Sequence, residues 1–79
     1  MTQAMQALET IKPYLHHMSA EEVRTHRAQV WLEVISQTEG YDREATAKAD
    51  PSETNEVAVF ADGSRLWWNH ELKQWEAGP

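Results

Sequence analysis

The alternation of apolar and polar positions is clearest in residues 56–76, and it predicts an antiparallel β-meander. Asp62-Gly63 lies between two such runs and favours a two-residue hairpin turn, because this dipeptide tolerates positive φ at both central positions. Ala61 then pairs with Ser64, and the pairing continues outward along both strands. His70-Glu71 is interpreted as a second two-residue turn, which adds a third strand.

Side chains alternate between the two faces of a strand, so this register separates the apolar residues into two sets. One set forms the face that we expect to cover the core: Val57, Val59, Leu66, Trp68 and Trp75. The other set lies on the opposite face: Ala58, Phe60, Trp67 and Leu72. A three-residue second loop would exchange the faces of the last strand. The opposite face is either wrapped by the rest of the chain or covered by a partner.

Two helices are predicted ahead of the meander. Residues 3–17 place apolar side chains at three- to four-residue spacing, with Thr2 as a candidate N-cap. Pro13 lies inside this segment, so the helix is either kinked there or interrupted a few residues before it. Ser19-Ala-Glu-Glu22 is a capping box, which predicts a second helix over residues 20–37. The short link between them predicts an antiparallel helical hairpin.

Residues 38–55 carry few large apolar side chains and many acidic ones, a composition that cannot offset the entropy cost of ordering. We interpret this segment as a mobile acidic connector, with a short helix over Asp42–Lys48 that Pro51 ends. The predicted fold class is therefore α+β: an N-terminal helical hairpin packs on a C-terminal three-stranded antiparallel β-meander. The 79 residues form one domain, with helices in residues 2–37, the connector in 38–55 and the meander in 56–77.

Composition excludes several kinds of site. The chain has no cysteine, which removes disulfides, thiolate chemistry and cysteine-based zinc sites. Only seven Lys and Arg stand against 13 Asp and Glu, and the net charge of −6 disfavours binding to nucleic acid or to an anionic membrane. The glycines are isolated, and neither Ser19 nor Ser64 has an obvious base. We expect no enzyme activity and no cofactor.

The histidines are the remaining candidates for metal binding: His16, His17, His26 and His70. Their spacing matches no helical metal motif, so no metal site is predicted. A histidine-dependent metal-binding regulator stays a distant alternative.

The distribution of apolar residues along the chain indicates where in the cell to expect the protein. The N-terminus lacks the basic and apolar regions of a signal peptide, and no segment approaches the apolar length of a membrane span. We therefore expect a soluble protein of the cytoplasm.

These patterns favour non-enzymatic protein binding, by an inhibitor or adaptor of a larger intracellular protein with a basic surface patch. Phe60 and Trp67 would supply apolar anchors on the open face of the sheet, together with Arg65 and Leu72. Asp42 and Glu44 of the connector would complement basic groups of the partner.

In composition, the chain is similar to phage-encoded inhibitors of host defence proteins, anti-CRISPR proteins among them: it is small, acidic and cysteine-free. This likeness covers no motif, and it implies the cytoplasm of a host cell as the location. One alternative is a structural subunit that homodimerises through its aromatic sheet face. Another is imitation of nucleic-acid phosphates by the acidic side chains of residues 39–56, although these lie on the segment predicted to be least ordered.

Overall fold

The computed structural model describes residues 1–15, 28–72 and 74–78. In these residues, helices are followed by a three-stranded antiparallel sheet of order β1-β2-β3, so the predicted α+β fold class is confirmed. The helices are α1 (Gln3–Leu15), α2 (Ala28–Ile35) and α3 (Arg43–Ala49). The strands are β1 (Val57–Val59), β2 (Arg65–Asn69) and β3 (Gln74–Gly78).

Helix α1 begins where its cap was predicted, since the hydroxyl of Thr2 accepts from the amide of Met5 at 3.1 Å. The helix continues through Pro13 rather than stopping before it. Ala4, Ala7 and Ile11 lie at three- and four-residue spacing and are buried. They direct α1 onto β2 and β3, and α1 also contacts α2.

The second predicted helix is described over Ala28–Ile35, where Trp31 and Ile35 are buried in the core. The residues that were expected to begin it, including the capping box at 19–22, lie outside the described residues. So do His16, His17, His26 and the predicted link of the helical hairpin.

The acidic connector is more ordered than its composition predicts. Its short helix is confirmed as α3, and the Asp42 carboxylate caps it by accepting from the amide of Ala45 at 2.9 Å. Thr46 is buried, donates to the carbonyl of Asp42 at 2.7 Å and accepts from the amide of Val59 at 2.9 Å. The expectation of a mobile connector is wrong here, because hydrogen bonds to β1 supply the stability that apolar side chains do not.

The first hairpin turn contains three residues instead of two. The amide of Phe60 donates to the carbonyl of Ser64, and the amide of Gly63 donates to the carbonyl of Phe60, both at 2.9 Å. Gly63 has φ of 85°, a conformation that suits a three-residue loop ending in a left-handed glycine. The pairing of β1 with β2 is consequently shifted by one residue from the prediction, and Ala58 pairs with Leu66.

The second turn is also longer than predicted, with four positions between Asn69 and Gln74, which pair with each other. The side-chain oxygen of Asn69 accepts from the amides of Glu71 at 2.9 Å and Leu72 at 3.0 Å, which stabilises the turn. The pairing of β2 with β3 is thus shifted by two residues from the prediction. Because the shift is even, the side chains that were predicted to share a face in these two strands still share it. Trp68 now pairs directly with Trp75.

The shift in the first turn exchanges the two faces of β1. The inner face, turned to the helices, carries Ala58, Phe60, Leu66, Trp68 and Trp75. The outer face carries Val57, Val59, Arg65, Trp67, Asn69, Gln74, Glu76 and Gly78. The face assignment predicted for four residues is therefore wrong, since each lies on the opposite face of the sheet: Val57, Ala58, Val59 and Phe60. Val57 and Val59 are nevertheless buried, on the strand that α3 contacts.

The first turn also holds the N-terminus of α1. The Asp62 carboxylate accepts from the amide of Gln3 at 2.8 Å, and the side-chain oxygen of Gln3 accepts from the amide of Asp62 at 2.9 Å. Ser64 is buried, and its hydroxyl accepts from the amide of Ala4 at 2.9 Å. Amides at the start of a helix have no partner within it, so the turn satisfies donors that α1 would otherwise leave unpaired.

We predict that Trp68→Ala unfolds the domain, at a cost of about 3–5 kcal/mol. Trp68 is buried and meets Trp75 edge to face, with ring centroids 5.8 Å apart. Thermal melting followed by circular dichroism measures the effect. Trp67→Ala is the matched control, since it removes the same side chain from the opposite face one position earlier. Equal melting temperatures for the two variants would contradict the face assignment.

We predict that Asp62→Ala lowers the melting temperature at neutral pH by loosening α1. The amide of Gln3, then the hydroxyl and amide of Ser64, hold the pKa of Asp62 below its usual range. Its contribution is therefore present above the unfolded-state pKa and is lost as pH falls through the lower folded-state pKa. The difference from wild type should shrink in acid. A difference that stays constant down to pH 2 would contradict the assignment.

Candidate functional site

The candidate site is a small surface on the outer face, here called the Trp67 patch: Arg65, Trp67 and Gly78. Trp67 is 44 % exposed, although its neighbours in β2, Leu66 and Trp68, are buried. The alternation of side chains in β2 turns Trp67 away from the core that its neighbours enter. A large aromatic side chain is thus left partly in water.

Trp67 is held in place by both residues of the patch. The guanidinium carbon of Arg65 lies 5.8 Å from the centroid of the Trp67 ring, within the range of a cation–π contact. Gly78 pairs directly with Arg65, and a Cβ at Gly78 would overlap the indole nitrogen of Trp67. The indole therefore lies across the bare backbone of Gly78 on β3, as aromatic residues do when they cover an edge glycine. These two contacts define the position of the ring on the surface.

Phe60, the other predicted apolar anchor, is not on this surface. It is 1 % exposed and packs in the core, where Tyr41 meets it edge to face at a centroid distance of 6.2 Å. The one-residue shift of the first turn moved it to the inner face. The prediction that Phe60 lies on the open face is therefore wrong.

Leu72 is exposed, as expected, but at a different place. It is 61 % exposed and belongs to the turn after β2, where the side chain of Asn69 accepts from its amide. It is therefore a second apolar point at one end of the sheet, rather than a member of the strand face that holds Trp67.

The two acidic candidates lie on α3 and its cap. Asp42 is half-buried and accepts from the amide of Ala45, so its carboxylate is committed to starting the helix. Glu44 is exposed, and its carboxylate lies 3.7 Å from the ammonium group of Lys48. An exposed pair of this kind contributes little to stability, which leaves Glu44 available to other cations.

The sequence did not single out the polar row beside Trp67. Glu76 pairs directly with Trp67, and its Oε1 accepts from the side-chain amides of Asn69 at 3.1 Å and Gln74 at 3.4 Å. These residues share the outer face because their positions have the same parity in paired strands. The alternation of β3 already placed these residues on the face of Trp67, and only the direct pairing of Glu76 with Trp67 depended on the length of the second turn.

A cleft of about 380 Å³ lies elsewhere, between α2, α3 and the loop that follows α3. Its polar side chains include Thr46 and Asp50, and both make structural hydrogen bonds. Burial raises the pKa of Asp50, but hydrogen bonds from Thr54 and from the amide of Asn55 outweigh it and lower the pKa overall. The Asp50 carboxylate holds this loop together, since those bonds measure 2.7–2.9 Å.

His70 is the histidine that the structure describes. Its Nε2 lies 3.0 Å from a carboxylate oxygen of Glu56, and both groups are on the surface. Among the described residues, no three His, Asp or Glu side chains converge on a point where a metal ion could bind.

Comparisons with protein families, curated proteins and solved structures gave no match to this chain. None of the helices in the described residues has the length and apolar character needed to cross a membrane.

We predict that Gly78→Ala displaces the indole of Trp67, because the added methyl group occupies the space of the ring. The indole N–H resonance of Trp67 in an NMR spectrum should shift, while those of the three other tryptophans stay in place. Ala77→Ser, a change of similar size at the exposed neighbouring residue, should leave all four resonances unchanged. An unchanged Trp67 signal in Gly78→Ala would show that the ring does not lie over β3.

Proposed function

We propose that the protein is a non-enzymatic protein-binding module that acts as an inhibitor or adaptor of a larger protein. The observation that carries this proposal is the exposed indole of Trp67 on the outer face of the sheet. Tryptophan and arginine are the residues most enriched among those that dominate binding energy at interfaces. Arg65 and Trp67 stand side by side here.

The exposure of the Trp67 ring and its contacts with Arg65 and Gly78 also support this function. Covering an exposed tryptophan removes a large apolar area from water, which favours association. Arg65 and Gly78 already restrict the ring in the free protein, so less side-chain entropy is lost on binding. Trp67 is not part of the buried core, and its exposed area is available to a partner.

The charge of the chain supports a basic surface on the partner. The net charge is −6, and Glu76 lies directly opposite Trp67 on the neighbouring strand. Complementary charge steers association and selects among partners more than it adds affinity. Binding through this face should therefore weaken as salt concentration rises.

We predict that Trp67→Ala weakens association with the partner by about 2 kcal/mol or more, which is roughly a 30-fold rise in Kd. The partner is recovered from the native host with the wild-type protein as bait, identified and purified, and its affinity is measured by calorimetry. The melting temperature of the variant should stay close to that of wild type. Met5→Ala is the matched control, since Met5 is exposed to a similar degree, 45 %, on α1.

Two outcomes would contradict the proposal. In the first, Trp67→Ala and Met5→Ala bind the partner equally well. In the second, light scattering shows that the pure protein is a dimer and that Trp67→Ala makes it a monomer, which would identify the patch as a self-association surface of a structural subunit.

A further inference from the structure

The turn between β1 and β2 contains Asp62-Gly63, the one Asp-Gly pair in the sequence, and both residues are exposed to solvent. An aspartyl residue rearranges to isoaspartate when the backbone nitrogen of the next residue attacks its side-chain carboxyl carbon. Glycine in the next position favours this attack, because it has no Cβ to obstruct a close approach of the backbone. The turn therefore carries the sequence in which this rearrangement is easiest.

The rearrangement is balanced without any other reactant. The nitrogen of Gly63 bonds to Cγ of the neutral Asp62 carboxyl group, and the carboxyl hydroxyl leaves as water with the proton of that nitrogen. The product is a five-membered cyclic imide. Water then adds to the backbone carbonyl carbon of Asp62 and breaks its bond to the nitrogen. The chain now runs through Cβ and Cγ of the residue, and its composition is unchanged.

In the folded protein, both reacting groups are engaged elsewhere. The amide of Gly63 donates to the carbonyl of Phe60 at 2.9 Å. One oxygen of the Asp62 carboxylate accepts from the amide of Gln3 at 2.8 Å. The other oxygen accepts from the amide of Ser64 at 2.9 Å and from the Ser64 hydroxyl. The attack therefore requires that these bonds break first.

The same hydrogen bonds keep the carboxyl group ionised. Donation from the amide of Gln3, and then from the hydroxyl and amide of Ser64, lowers the pKa of Asp62. The neutral acid is the form that reacts, because its hydroxyl departs as water. At neutral pH the folded protein therefore holds less of the reactive form than the unfolded chain does.

We propose that Asp62-Gly63 is a site of isoaspartate formation, and that the docked N-terminus of α1 holds the reaction back. Besides the bond from the Gln3 amide, the side-chain oxygen of Gln3 accepts from the amide of Asp62 at 2.9 Å. The amide of Ala4 donates to the hydroxyl of Ser64 at 2.9 Å. Detachment of a helix end requires less free energy than global unfolding, so the reaction proceeds through molecules in which this end of α1 is detached.

The product does not fit the turn. Isoaspartate adds one carbon to the backbone between residues 62 and 63 and leaves the carboxylate directly on Cα. The hydrogen bond from Gly63 to Phe60, and those that the Asp62 carboxylate accepts, depend on the normal backbone length. Rearrangement therefore releases α1 from the turn, and the exposed position of the turn leaves the new carboxylate accessible to a methyltransferase of the class that recognises isoaspartate.

The first test compares the folded protein with the chain unfolded in guanidinium chloride, both kept at neutral pH and body temperature. Isoaspartate at position 62 is measured by proteolysis and electron-transfer fragmentation. We predict that it accumulates more than about tenfold more slowly in the folded protein, since only the open molecules react. In the unfolded chain, Asp42 is the internal control and should react more slowly than Asp62, because the side chain of Arg43 obstructs the attack.

Two outcomes of this test would overturn the inference. If isoaspartate accumulates equally fast in both samples, the fold does not hold the reaction back. If the unfolded chain forms no more isoaspartate at Asp62 than at Asp42, the Asp-Gly pair is not a site of this reaction.

The second test separates the amide of Gln3 from its side chain. Gln3→Pro and Gln3→Ala both remove the side-chain oxygen, but only proline removes the amide that donates to Asp62. Proline is well tolerated at the first position of a helix, where Gln3 lies. We predict that isoaspartate forms roughly tenfold faster in Gln3→Pro than in Gln3→Ala, as expected for loss of a hydrogen bond to a charged group. Equal rates in the two folded variants would overturn the role of α1.

Ser64→Ala tests the same contact from the side of the turn, and it decides the question even if Gln3→Pro fails to fold. It removes the hydroxyl that donates to Asp62 and accepts from the amide of Ala4. Isoaspartate should form faster in this variant than in wild type, and an equal rate would overturn the inference. The aged fraction of wild type, separated by chromatography, should melt at a lower temperature than the fresh protein. Equal melting temperatures would show that the rearranged turn still holds α1.

Discussion

The three-residue turn between β1 and β2 is the constraint on which the rest of the structure depends. Its left-handed Gly63 sets the register of the first hairpin, and the register decides which side chains of β1 face the helices. The same turn supplies the Asp62 carboxylate and the Ser64 hydroxyl that accept from the first amides of α1. One loop thus fixes both the sheet and the helix that covers it.

The turn also explains why a polar segment becomes ordered. Gln3 exchanges hydrogen bonds with Asp62, and its side chain lies where a Cβ of Gly40 would be. Gly40 adopts φ of 85° and accepts from the amide of Ala61, so the start of the acidic connector is tied to the same point. The next residue, Tyr41, forms an isolated antiparallel β-bridge with Phe60, and α3 contacts β1. Backbone pairing therefore orders a segment whose composition alone predicted mobility.

The predictions from sequence were correct where they depended only on the alternation of side chains within one strand. Trp67 and Trp68 are adjacent in a strand, so they point to opposite faces whatever the turns do, and the exposed Trp67 follows. The face on which Phe60 lies, by contrast, could be predicted only from the length of the first turn. Asp-Gly suits a two-residue turn and also a three-residue loop with glycine last. In the longer loop the Asp62 carboxylate accepts from the amide of Gln3, a long-range contact that local patterns do not contain.

The pairing at the outer edge of β1 follows from the order of the chain. The connector precedes β1 in sequence and lies alongside it, so Asp42 and Thr46 reach the edge of β1 and bond with Val59. These bonds give partners to backbone groups that an edge strand would otherwise leave unpaired. A polar segment is therefore held against the sheet by the hydrogen-bonding needs of the strand that follows it.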